Sequence, residues 1–215
     1  MRITSDDYRK SFGIVDVTRT DPERALNLAL EIRKFEIDLY WKRATYFWTF
    51  IAIALAGYVT VLDANIPRDK KADGLLAASC LGIVFSLAWY FVNRASKFWQ
   101  ENWEKHVDLL EDAVIGPLYK TVLSDEKLDF WRPWSAYPFS VSKINQILSM
   151  FVVLLFLLLA ATTGWEYFRI GGPPDVFATM IVLLTLGAVL ILCRKGRTLE
   201  GERRTISDRR VIKIV

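Results

Sequence analysis

The sequence predicts an all-α membrane protein with four transmembrane helices, the first two continuing beyond the bilayer as an antiparallel helical hairpin. Three observations predict it. The 215 residues are 53% hydrophobic and 24% charged, and the two kinds are separated into blocks, as in a chain whose solvent changes along its length. Four runs (44–62, 75–92, 147–165 and 176–193) contain no Asp, Glu, Lys, Arg or His, and each reaches the roughly 18 residues that cross about 30 Å of hydrocarbon. Charged, helix-forming stretches abut the first two runs without an intervening Gly or Pro. The first thirty residues are charged throughout and lack the apolar segment of a signal peptide.

Residues 1–20 form an N-terminal segment ahead of the first element. Asp21, Pro22 and Glu23 then supply an N-cap, a first-turn proline and an early acid that complements the helix dipole. Ala25, Leu28, Ile32, Phe35 and Leu39 recur at helical steps, and Leu26, Leu30, Ile37 and Trp41 make a second stripe beside them. The partial alternation in EIRKFEIDL also fits a strand, but the cap and the surrounding residues favour a helix. The second span continues through NRASKFWQENWEKHVDLLEDAVI to Gly116-Pro117, a helix stop. Trp99, Trp103, His106, Leu110 and Ala113 share a face there, and Glu101 and Lys105 stand at pairing distance. Residues 21–115 therefore read as a hairpin of two helices, each about 60 Å long, and 116–146 as a connector. Residues 147–193 read as a second hairpin held within the bilayer, and 194–215 as a basic tail.

Two stripes are more than one partner helix covers. Either copies of the hairpin pack side by side into a collar, or residues 117–146 fold back over the second stripe. Leu28, Ile32, Phe35 and Leu39 are expected to pack with Trp99, Trp103 and Leu110 of the same or a neighbouring chain. Ala78, Gly82 and Ser86, at four-residue intervals, permit close backbone approach in lipid, between subunits or within one.

Charge orients the chain. Lys and Arg number nine in residues 1–43, seven in 93–146 and eight in 194–215, against three and one in the two short connections. This twenty-four to four bias places both termini and the central segment in the cytoplasm. Tyr40, Trp41, Trp48, Trp89 and Tyr90 mark the inner ends of the spans, and Tyr58, Trp165 and Tyr167 the outer ends. Lys42 and Arg43, at the inner mouth of the first span, and Arg194 and Lys195, below the fourth, are expected to contact the lipid surface. The tail carries no nucleic-acid module, so none is expected as a partner; its closing VIKIV has the pattern of a short added strand.

Little points to catalysis. His106 is the only histidine and has no companions at metal-ligand spacing. Cys80 and Cys193 read as buried apolar thiols. Nucleophile motifs, phosphate-binding loops and paired carboxylates in apolar settings are missing, so neither an enzyme nor a cofactor is expected. Spans without ionisable residues or visible midplane breaks disfavour a coupled transporter. The alternative is a channel-like or membrane-permeabilising effector, with Ser79, Ser86, Thr60 or Thr185 facing water.

The run LEIRKFEIDLYWKRATYFW (30–48), together with a second span continuing into WQENWEKHVDLLE, resembles the RipA-like family of small octameric bacterial integral membrane proteins. The likeness is strongest over residues 25–115. It implies a homo-oligomer, an octamer in the bacterial inner membrane, whose partners are its own copies and the lipid bilayer, and it transfers no catalytic residue. A second resemblance is to small membrane effectors of bacterial defence systems, which also begin with a charged helix. Those have two spans, and the four runs here count against it.

Overall fold

In the computed structural model the described residues are 21–122, 131, 134, 137–170 and 176–197. The N-terminal segment, most of the connector, and the tail beyond residue 197 with its VIKIV ending lie outside them. The described residues form four long helices, with no strand among them: α1 (Pro22–Asp63), α2 (Arg68–Glu111), α3 (Val141–Ile170) and α4 (Val176–Lys195). Each is long and apolar enough to cross a membrane.

Local chemistry sets the helix ends. The Asp21 carboxylate accepts the Arg24 amide at 3.1 Å, satisfying one of the orphan donors of the first turn of α1. α1 runs 42 residues and α2 44, about 65 Å each. α2 stops at Glu111, four residues short of the expected end at 115, and a turn follows. The chain reverses there with Gly116 at φ 78°, its amide donating to the Glu111 carbonyl at 3.0 Å. That left-handed conformation suits glycine, which has no Cβ to clash. α3 extends past both ends of the span expected at 147–165. It begins at Val141, because the Ser140 hydroxyl caps the Lys143 amide at 3.4 Å, and it runs to Ile170.

The chain divides into two compact units. Of the described residues, 21–37 and 99–122 fall in the first. Its core is Leu26 and Ala29 of α1 against Val107 of α2, with Leu30, Leu110 and Val114 packed around them.

The second unit holds the four apolar segments, and α2 is its hub: 39% of the apolar window of α2 is buried, against 6% in α1 and in α4. Along α2 the buried positions Ala72, Ser79, Gly82, Ser86, Trp89, Asn93 and Ser96 mostly alternate by three and four residues, the spacing of a helix–helix seam. At its centre the Phe156 ring of α3 is fully buried with Ala54 of α1 and Ile83 of α2, and Val189 of α4 packs on the same cluster. The ring occupies the space that a Cβ on Gly82 would take. Nearer the α1–α2 turn, Leu76 and Cys80 of α2 pack on Ala178 of α4, so the Cys80 thiol is a buried packing group. Cys193 is exposed rather than buried, because it lies at the outer surface of the last turn of α4.

Gly82→Ala is expected to overpack this site and cost about 1–3 kcal/mol in thermal unfolding of the detergent-solubilised protein. Adding Phe156→Ala should recover part of that loss, giving a non-additive pair. Strictly additive effects would show that the ring and Gly82 are not in contact.

Candidate interface faces and their polar supports

In the first unit the covered stripe of α1 is Leu26, Ala29 and Leu30. The neighbouring stripe is not covered: Leu28 is 56% exposed and Phe35 59%, with Ile32 half-buried. Of the residues expected opposite, Leu110 joins the core cluster beside Leu26, and the Trp103 ring lies against His106 at 5.2 Å. Trp99 and Trp103 are half-buried. Leu28 and Phe35 thus stay more than half exposed in the chain. A helical period announces both stripes equally and cannot say which a partner takes.

A charged cluster holds this arrangement. The Glu111 carboxylate is fully buried and accepts the Tyr119 amide at 2.6 Å and the Lys120 amide at 3.3 Å. The Lys120 ammonium lies 3.9 Å from it and donates to Asp112 at 2.7 Å. A buried carboxylate is tolerable when donors and a cation converge on it. The Arg33 guanidinium stacks over the Tyr119 ring at 5.4 Å and pairs with Glu104 at 3.5 Å. Tyr119 and Lys120 thus lie against Glu111 and Arg33, while most of the connector, one of the two covers expected for the second stripe, lies outside the described residues. Burial, and then the negative charge of Glu111, push the Asp108 carboxyl above its usual range, with Asp112 adding to the rise and Lys120 and Arg33 opposing it.

The second unit has a buried polar cluster that no motif announced. The Asn145 amide donates to the Tyr40 hydroxyl, and the Asn93 amide donates to the Asn145 carbonyl at 3.3 Å and to the Ser149 hydroxyl at 3.4 Å. The Ser149 hydroxyl in turn donates to the Gln146 carbonyl at 2.9 Å. Three helices are tied together by groups that would each cost about 1–3 kcal/mol if left unpaired. The one sequence signal was that Asn93 directly follows an apolar run and Asn145 closely precedes one. Arg43 is half-buried and donates to the Ser96 hydroxyl at 3.4 Å, so it ties α1 to α2, whereas Lys42, Arg194 and Lys195 are exposed.

Leu39 is half-buried in the second unit. Ala78, Gly82 and Ser86 lie on or beside the α2 seam, where Gly82 receives the Phe156 ring and Ser86 is fully buried. The hydroxyls of Ser79 and Ser86 donate to carbonyls of their own helix, Leu75 at 2.8 Å and Gly82 at 2.7 Å. Thr60 and Thr185 do the same with Ala56 and Ile181. Among the described residues no group of three His, Cys, Asp or Glu side chains could hold a metal ion.

Long apolar helices with exposed apolar faces define a multi-pass helical membrane protein. The chain belongs to the octameric membrane protein family (8xMP), whose family model matches residues 23–165. The match spans α1, α2 and the apolar run of α3, and α4 lies beyond it. No curated protein and no solved structure matches the chain.

The Asp108 environment predicts a pH effect of known sign. A raised carboxyl keeps its proton to higher pH in the folded state than in the unfolded one, so stability falls as pH rises from about 4 through the folded value. Asp108→Asn removes that fall. Its melting temperature should exceed that of the wild type at pH 7, and the gap should close near pH 4. A variant less stable than wild type at pH 7 would contradict the assignment.

Proposed function

We propose that this protein is a homo-octamer of the bacterial inner membrane whose paired extensions form a cytoplasmic helical collar, and that it serves as a structural or interaction assembly rather than an enzyme. The observation that carries the reading is the exposed stripe of Leu28 and Phe35 on a helix otherwise dressed in charge. Such side chains on an extension in water gain about 1.5–3 kcal/mol each when fully buried, and eight repeats of one contact make that gain cooperative around a ring. The family's octameric description supplies the neighbour. The excess of Lys and Arg in 1–43, 93–146 and 194–215 supports a cytoplasmic collar. The two short connections on the other face leave macromolecular contacts to the collar.

Replacing both Leu28 and Phe35 by Glu should lower the molar mass in mild detergent from eight chains toward one, read by light scattering, with helix content unchanged. An intact octamer would remove this stripe from the interface. Silence of the wild-type protein in planar bilayers across voltages is the expected result, and reproducible conductance would favour the channel-like alternative.

A further inference from the structure

We propose that the groove beside the α1–α2 turn is a binding site for a membrane phospholipid, with the phosphate at Arg68 and Lys71 and an acyl chain along the apolar wall. The groove measures about 540 Å³ and lies wholly in the second unit, between the end of α1, the start of α2 and the end of α3. That size falls within the common range for ligand sites, about 300–1,000 Å³.

Its chemistry changes along its length. Leu62, Leu75, Ala161 and Trp165 line the part formed by the apolar runs, at hydrocarbon depth. Arg68 and Lys71 line the mouth, where α2 has just left the turn. An open groove with apolar walls inside a bilayer does not hold water, so a hydrocarbon chain fills it. The mouth then meets the headgroup layer, where Trp165 also belongs.

Charge selects the headgroup chemistry. The charged residues lining the groove are two cations and one acid, Glu166. Both cations are held in place by a single protein contact: Arg68 to the Glu166 carboxylate at 2.6 Å, and the Lys71 ammonium to the Leu62 carbonyl at 3.0 Å. A guanidinium has five N–H donors and an ammonium three, so one bond each leaves donors for phosphate oxygens. Asp73, close by on α2, is engaged by the Tyr167 hydroxyl and by Lys70 at 3.9 Å. The result is a cationic mouth above a hydrocarbon slot. This inference needs neither the collar nor its cytoplasmic placement.

The test uses the detergent-solubilised full chain, stripped of lipid and titrated with dioleoyl-phosphatidylglycerol, with bound lipid counted by native mass spectrometry. Wild type should take one lipid per subunit. Arg68→Gln with Lys71→Gln should weaken binding at least tenfold, and so should Ala161→Phe, which fills the slot but leaves both cations. Lys70→Gln, outside the groove lining, should bind as wild type. Glycerol 3-phosphate, which lacks acyl chains, should not compete. Equal binding by all variants would overturn the site, and effective competition by glycerol 3-phosphate would overturn the acyl slot. Dissociation of the octamer by Ala161→Phe would show that a neighbouring subunit, not lipid, fills the groove.

Discussion

The contact between the Phe156 ring and the Gly82 backbone is the constraint on which the membrane-facing unit depends. Without a Cβ at residue 82 the third helix comes close enough to bury its ring completely, and Ala54 and Val189 then close around the same ring from α1 and α4. In lipid there is no hydrophobic drive between helices, so fit and hydrogen bonds decide which faces meet. The α2 seam provides both. Small residues at 79, 82 and 86 keep the seam narrow, with the Phe156 ring seated at 82, and the Asn93–Asn145–Tyr40 cluster fastens the same helices by polar bonds.

With the seam spent inside the chain, the faces left for other copies lie elsewhere. α1 and α4 are almost entirely outward-facing over their apolar windows. On a charged extension, burial out of water favours association, and on α1 of the first unit the exposed large apolar residues are Leu28 and Phe35. The two units therefore use different physics. The membrane unit is specified by shape and hydrogen bonds. The extension is specified by a small apolar core, by the buried Glu111 carboxylate that organises its turn, and by an apolar stripe that the described residues leave open.

Much of this fold was legible in the sequence. Four uncharged runs fix the four helices, and Asp21, Pro22 and Gly116 act where their capping chemistry places them. What could not be read follows from the limits of periodicity. A 3.6-residue period shows that α1 has two apolar stripes but not that Leu26 and Ala29, rather than Leu28 and Phe35, face α2. Four-residue spacing picked out Ala78, Gly82 and Ser86, while the buried line alternates by three and four and passes through Ser79. The start of α3 ahead of its apolar run is not legible in hydropathy, because an apolar run marks where hydrocarbon begins, not where a helix does. Asn145 sits in that polar first turn.

The central claim is that the α2 seam packs within one chain and the Leu28–Phe35 stripe packs between chains. Disulfide cross-linking in native membranes tests it most directly, in a background with Cys80 and Cys193 replaced by Ser. A single cysteine at Phe35 should give covalent dimers in high yield, whereas one at Ser86 should give none. The opposite pattern, with dimers through position 86 and none through position 35, would contradict the account.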